Sequence, residues 1–302
     1  MDDFASTALY NLIASRLQTL GMDIRPTRRF DGKIDRSEKA DLLGDALASL
    51  GASAIVGIGQ EIHSMGSNPT LEVLTRSISP GDLLERWLRL ERYYHGKHRI
   101  RILEMGQSAI LLEHYSTGGG QPSAGEDLVI AGLLAALLQQ IGCRGLSLDI
   151  GEPAARFIRN DVFTTCRQTP SNTSNCSIRW RSFALRNLGA SLHSGSGTVA
   201  DRLSEIIGDD LGRNWRLDTA ARYLETSARS LQRSRAREGT SFQKVLRTVR
   251  VEHSAALISS YGFKLAEAGY ACGFSDQAHF SREFKQRFNM SPSKFAEMVA
   301  PR

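Results

Sequence analysis

The sequence predicts two architectures in one chain: a mixed α/β part over residues 1–195 and an all-α part over residues 203–302. Three observations carry this reading. β-rich runs, above all HRIRILEMGQSAILLEHY (98–115), occur only before residue 200. From Ala200 onward the apolar spacing is helical throughout. Between them, residues 165–200 are rich in Ser, Thr, Asn and Gly and end in LHSGSG, the composition of a linker. A chain of 302 residues suits about two domains.

The elements follow in order. Residues 4–20 carry Phe4, Ala8, Leu12, Ile13, Leu17 and Leu20 at helical spacing and stop at Gly21. Residues 37–50 form a second helix, with Ala40, Leu43, Ala46, Leu47 and Leu50 on one side and Gly51 after it. The run SAIVGIGQ (53–60) fits a short strand or a helix start equally well. Residues 82–94 alternate Leu with Arg and Glu at helical spacing. Residues 98–115 read as a hairpin around Met105-Gly106-Gln107. A glycine-rich loop follows, then a buried helix over 128–141, a strand over 145–150 and another over 177–183.

Hydrophobic content of 41% and charged content of 23% place the chain among folded rather than disordered proteins. Its net charge of +6 is uneven. Residues 201–302 hold 17 Lys and Arg against 12 Asp and Glu, whereas the first 200 hold 21 against 20. The excess suits a polyanionic partner for the C-terminal part, or a solubilising surface. Four separated cysteines without CxxC spacing read as free thiols in a reducing compartment. The start MDDFASTALYNLI is acidic where a secretory signal is basic. The longest apolar run, 128–138, falls short of the roughly 20 residues a bilayer needs. A cytoplasmic protein with no membrane partner is expected.

In the C-terminal part, GFSDQAHFSREFKQRF (273–288) sets Phe280, Phe284 and Phe288 four apart among polar residues. On a wheel of about 100° per residue they form one stripe, with Ala278, Arg282 and Lys285 opposite. Ser275 or Asp276 can cap this helix, and Gly273 suits a tight turn before it. A short helix over 264–272, burying Leu265, Ala268 and Cys272, precedes that turn. Short helix, turn and capped basic helix make a helix-turn-helix. About fifty residues earlier the layout recurs. Asp218 to Leu224 is the short helix, Ser227 the cap, and Leu231 the anchor opposite Arg229 and Arg233. A longer helix over 241–260 joins the two units, with Phe242, Val245, Leu246, Val249 and Ile258 on its apolar side.

LQRSRAREGTSFQ (231–243), RVEHSAALI (250–258) and GFSDQAHFSREFKQRFNMSPSKF (273–295) resemble the DNA-binding domain of the AraC/XylS family of transcription regulators. The likeness covers about 90 residues. It implies two helix-turn-helix units on a linker helix, whose recognition helices enter successive major grooves of double-stranded DNA. By position, Arg229, Gln232 and Arg233 would read bases from the first unit, and Gln277, Ala278 and Arg282 from the second. His279, Ser281 and Lys285 would lie near the DNA backbone. Arginine can pair a guanine edge and glutamine an adenine, while lysine and serine more often hold phosphate. The first unit departs from the family pattern. Glu225 stands in the turn where the family has Gly, Thr226 replaces an apolar residue, and Arg235 falls on the buried side, to snorkel outward or pair with Glu238 or Glu225. The second unit is therefore expected to supply most of the specificity.

The resemblance further implies an activator working with RNA polymerase, and an N-terminal domain that binds an effector or forms a homodimer. LASLGASAIVGIGQEI and SISPGDLLERWLRLERYY loosely resemble the ligand-binding type of such domains. Arg25 and Arg29, with Arg28 between them, resemble the RxxxR half of the motif by which PilZ domains grip cyclic di-GMP; Asp35-Arg-Ser37 partly matches the other half and lacks its Gly. That resemblance implies an effector site at Arg25, Arg28, Arg29, Asp35 and Ser37. The plain alternative is an arginine-rich solvated loop, with an N-terminal domain that only dimerises. No enzyme, metal or cofactor is expected. Gly57-Ile-Gly59 lacks the third glycine of a dinucleotide fingerprint, and Gly118 to Gly120 lacks the Lys-Ser/Thr of a phosphate loop. His95 and His98 read as surface histidines without a nearby acid, and Ser191-Leu-His193 has no nucleophile-elbow context.

Overall fold

Secondary structure changes character along the chain as the sequence predicts. The computed structural model describes residues 4–24, 33–63, 69–94, 97–166, 169–185 and 198–299. It divides into two units, residues 1–186 and 187–302. Arg25, Arg28, Arg29, His95 and residues 191–193 lie outside the described residues.

The first unit opens with strand β1 (Phe4–Ser6) and helix α1 (Thr7–Thr19). Sequence spacing suggested helix from residue 4, but the backbone of residues 4–6 pairs instead with β2 (Lys33–Asp35). Helix α2 (Arg36–Leu50) starts where the Asp35 carboxylate accepts the Ser37 N–H at 2.8 Å, and ends at Gly51 with φ 80°. The ambiguous run after it is helical: α3 (Ala52–Gly57) continues into a 3₁₀ segment (Ile58–His63). Helices α4 (Pro69–Thr75) and α5 (Pro80–Tyr94) follow; α4 was not anticipated. The hairpin is β3 (His98–Met105) and β4 (Ala109–Ser116), paired from His98↔Ser116 to Met105↔Ile110.

Helix α6 (Ala124–Ile141) is the core. It begins four residues before the apolar run, because Ser123 and Glu126 form a reciprocal capping box. At 18 residues it is long and apolar enough to cross a bilayer, contrary to the shorter run read from sequence, yet 83% of that window is buried inside the protein. Two glycines allow α3 and the 3₁₀ segment to touch it. A Cβ on Gly59 would stand 2.2 Å from the Gly132 carbonyl oxygen, and one on Gly132 would stand 2.1 Å from that of Val56. Gly59 of the GIG run thus serves a close helix crossing, together with Gly132.

After α6, β5 (Cys143–Arg144), β6 (Ser147–Ile150), β7 (Ala155–Arg159), β8 (Val162–Phe163), β9 (Asn175–Arg179) and β10 (Ser182–Phe183) complete the unit. The main sheet is antiparallel, in the order β3-β4-β9-β6-β7-β8. The single strand expected over 177–183 is two: the chain leaves the main sheet after Arg179, and Ser182-Phe183 pairs with β5. The unanticipated β7–β8 hairpin turns on Asn160 and Asp161, both at positive φ as a two-residue turn of this kind requires.

His98 is not a surface residue: it is buried, because the strand alternation places it on the inner face with Ile100. Its Nδ1 lies 3.6 Å from the Glu126 carboxylate, which also pairs with Lys39 Nζ at 2.8 Å. Beside it, His114 Nδ1 lies 2.7 Å from Asp127, and the Thr173 hydroxyl donates to the other Asp127 oxygen at 2.5 Å. Burial pushes the Glu126 carboxyl up, but the Lys39 charge and hydrogen bond, the Ser123 N–H and His98 outweigh it, leaving it at about 2. At the sheet edge the buried Glu91 carboxylate accepts the Trp87 indole N–H at 2.9 Å and the Ile100 N–H at 3.1 Å. There burial prevails over those bonds and over Arg99, and its pKa rises from 4.5 to about 7.

The two carboxylates give opposite pH dependences. The folded pKa of Glu91 is raised, so its contribution is fully present below about 4.5 and is lost as pH rises to about 7, by roughly 3 kcal/mol at most. The folded pKa of Glu126 is lowered, so its contribution is present above about 4.5 and is lost as pH falls toward 2. Urea unfolding across pH 4–8 will show stability falling between 4.5 and 7. Glu91→Gln, which keeps an acceptor for Trp87 and Ile100, will flatten that fall; an unchanged profile in this variant contradicts the assignment.

Candidate nucleic-acid interface

The second unit contains α7 (Val199–Asp209), α8 (Leu217–Tyr223), α9 (Ala228–Arg237), α10 (Phe242–Tyr261), α11 (Leu265–Ala271), α12 (Gln277–Phe288) and α13 (Pro292–Val299). It has two cores. Leu203, Ile207, Trp215, Ala220, Leu231, Phe242 and Leu246 fill one; Val251, Ile258, Ala268, Phe274, Phe280 and Phe284 fill the other. Helix α10 contributes its N-terminal half to the first and its C-terminal half to the second, so one rigid rod seats both helical pairs.

Helix α12 is held by aromatic packing. Phe284 is fully buried, with its ring 5.6 Å from Phe280, 4.7 Å from Phe288 and 5.3 Å from Phe295. Tilted and edge-on pairs of this kind each add about 0.5–1.5 kcal/mol beyond area burial. Asp276 is the cap, accepting the His279 N–H at 2.7 Å, while the Ser275 hydroxyl donates to the other Asp276 oxygen at 2.9 Å. That backbone hydrogen bond, with Ser275, His279 and Arg282 assisting against burial, holds the Asp276 carboxyl below the usual carboxylate range. Gly273 before it has φ 78°, and a Cβ there would stand 2.2 Å from the Leu211 carbonyl oxygen.

The outer side of α12 carries exposed Gln277, Ala278, Arg282 and Lys285, with Ser281 half-buried. His279 is also half-buried: its ring stands edge-on to Phe274, and its Nδ1 is 3.0 Å from the Ser275 hydroxyl. On α9, Arg229, Gln232 and Arg233 are exposed, and Leu231 beneath them is 1% exposed. Ser227 caps that helix, accepting the Ser230 N–H at 3.0 Å.

The departures noted in the first helix-turn-helix have structural consequences. Glu225 holds φ 54°, the same left-handed conformation as Gly273, although it has a Cβ. Arg235 does not snorkel. It is 1% exposed and donates to Glu238 at 2.5 Å, while its Nε and Nη1 have no hydrogen-bond partner among the described residues. Its charge also reaches Asp201, whose carboxyl is held low first by hydrogen bonds to Thr198 and then by Arg235. In the first unit, of the residues assigned to the cyclic di-GMP motif, Asp35 and Ser37 bond one another at the start of α2, with the Ser37 hydroxyl 2.6 Å from the carboxylate.

Residues 220–298 match the family description of a helix-turn-helix domain. The chain is 27% identical over 99 residues to the TCP pilus virulence regulatory protein of Vibrio cholerae, covering 33% of this chain and 36% of that one. It is 31% identical over 93 residues to the urease operon transcriptional activator of Escherichia coli, covering 31% of each. A crystal structure of a probable AraC family transcriptional regulator from Rhodopseudomonas palustris aligns at 23% identity over 35% of this chain and 100% of that one, with a TM-score of 0.32. This chain carries an AraC/XylS-type helix-turn-helix domain. The match spans about a third of the length of the curated relatives, so the kinship is that of the domain.

Two ion pairs in the AraC/XylS-type domain escaped the sequence reading. Arg287 donates to Glu252 at 2.7 Å, and Arg247 Nη1 lies 3.7 Å from Glu283 Oε1. Both join α10 to α12. Each spans more than thirty positions, so local spacing carries no signal of them.

A left-handed residue with a Cβ costs about 1–2 kcal/mol. Glu225→Gly will therefore raise the unfolding free energy of this unit by about 1 kcal/mol, read by urea denaturation. A loss of stability would show that the Glu225 side chain supports the turn.

Proposed function

We propose that this protein is a sequence-specific DNA-binding transcription regulator that acts as an activator, its second unit reading DNA and its first unit controlling that activity. The observation that carries the reading is the arrangement of α9 and α12. Each buries its anchor, Leu231 or Phe280 and Phe284, and exposes the opposite side with its arginines and glutamine. Rigid helices with exposed Arg and Gln suit bidentate pairing to guanine and adenine edges in a major groove. Arg229, Gln232, Arg233, Gln277, Ala278 and Arg282 read bases; Lys285 and Ser281 hold backbone, and His279 supports them from the first turn. The first unit binds an effector, and the sequence around Arg25 suits an anionic one such as cyclic di-GMP. With Asp35 and Ser37 engaged in capping, the clamp falls to Arg25, Arg28 and Arg29. The regulator works in the cytoplasm, contacts RNA polymerase, and pairs with a second copy.

The strained turn at Glu225 and the buried charge at Arg235 favour the second helix-turn-helix as the main source of specificity. On a fragment selected from a genomic pool, Arg282→Ala will cost about 1–3 kcal/mol of discrimination against mismatched sites. Arg229→Ala will cost less, and Lys285→Ala will weaken all sequences alike. A larger loss from Arg229→Ala reverses the order of the two helix-turn-helix pairs. Calorimetric titration with cyclic di-GMP will give heat that Arg25→Ala with Arg29→Ala abolishes; no heat from the wild type removes that effector.

A further inference from the structure

The contact between α10 and α12 assigns a role to a residue outside both recognition helices. Arg247 lies on α10, the helix shared by the two cores, and its side chain is 47% exposed. The Glu283 carboxylate is only 18% exposed. One oxygen of that carboxylate, Oε1, faces the Arg247 guanidinium and the His279 ring at the same distance: Arg247 Nη1 and His279 Nε2 each lie at 3.7 Å. His279 sits in the first turn of α12, next to Gln277 and Ala278. Thus Arg247 stands at the flank of the base-reading surface, brought there from the helix that bridges the two helix-turn-helix pairs.

At 3.7 Å neither contact is a hydrogen bond, so charge alone draws Arg247 to the carboxylate. A part-exposed pair of this kind contributes little and weakens with salt. Among the described residues the Arg247 guanidinium makes one hydrogen bond, donating from Nε to the Gln243 carbonyl oxygen at 3.3 Å. A duplex phosphate offers more: a bidentate, charge-assisted pair together with release of a condensed counterion.

We propose that Arg247 is a DNA-backbone contact, held beside the recognition helix by Glu283 until a phosphate replaces that carboxylate. The inference rests on the DNA-binding reading above. Glu283 has a double effect. It keeps Arg247 pointed toward α12, and it repels phosphate unless the duplex lies close enough for Arg247 to bridge. Arg287 is the internal comparison. It also ties α12 to α10, is 52% exposed, and makes a hydrogen-bonded pair with Glu252 at 2.7 Å, so it has a better partner to give up.

The test uses the full chain and a 30-base-pair mixed-sequence duplex, with affinity measured by fluorescence anisotropy from about 50 to 200 mM KCl. Each phosphate contact contributes about 0.9 to the slope of log K against log salt. Arg247→Gln will lower that slope by about 0.9, Arg247→Lys will keep it, and Arg287→Gln will leave it unchanged. Glu283→Gln will tighten binding at every salt concentration with the wild-type slope. An unaltered slope in Arg247→Gln, when the wild type binds with salt dependence, overturns this proposal alone. A wild type that shows no salt-dependent binding sinks the DNA-binding reading, and this proposal with it. Melting curves confirm that the exposed substitutions leave the fold intact, and a variant that melts early is replaced by Arg247→Met in the same comparison.

Discussion

The packing of Phe284 is the interaction on which the C-terminal unit turns. A twelve-residue helix such as α12 is marginal by itself in water. Here three neighbouring rings, Phe280, Phe288 and Phe295, hold it in one orientation. Removing such a ring costs about 3–5 kcal/mol. That packing fixes which side of α12 faces out, and the outward side is where Gln277, Arg282 and Lys285 stand. Capping by Asp276 sets where the helix begins, and the left-handed Gly273 sets the angle at which it leaves α11.

The two helical pairs solve the same problem with unequal means. The second has glycine in its turn and phenylalanine beneath its helix. The first has glutamate in a left-handed turn and a buried guanidinium with Nε and Nη1 lacking a hydrogen-bond partner among the described residues. Removing one partner of a buried charge pair is costly, whereas replacing the pair with apolar groups is often neutral. Arg235 therefore constrains its own environment. Glu238 at the end of α9 and the acidic start of α7 must both stay in place around it. Since α7 is the first helix of the unit, Arg235 couples the seating of α9 to the point where the chain enters this domain.

Much of the second unit was legible because its information is local. Four-residue aromatic spacing, a capping residue and a glycine between short helices are adjacent in sequence, and they correspond to α11, the turn and α12. The side opposite the stripe could be named from the same wheel. The first unit yielded less. Helix α6 and the β3–β4 hairpin have strong patterns, but β1 exists only because residues 33–35 pair with it. His98 was misplaced although the alternation His98, Ile100, Ile102 contained the signal; the partner acid, Glu126, lies 28 positions away and announced itself only as a capping box. The Asn160-Asp161 turn was equally readable and passed over. Ion pairs such as Arg247–Glu283 carry no local pattern, because charged side chains are tolerated almost anywhere on a surface.

Buried polar groups divide the two units in a second way. In the first, Lys39, Glu126, His98, His114, Asp127 and Thr173 form a connected polar layer between sheet and helices, costly unless every member is paired. In the second, burial is mainly apolar, with Arg213 and Arg235 the buried charged side chains among the described residues. The account as a whole stands on the claim that the aromatic seat is what makes α12 a reader of DNA. The direct measurement is hydrogen exchange of the α12 amides alongside sequence discrimination, in the wild type and in Phe284→Ala. The account predicts slow exchange in the free wild type, and loss of protection and of discrimination together in the variant. A variant that loses protection in α12 yet discriminates between sequences as well as the wild type would contradict it.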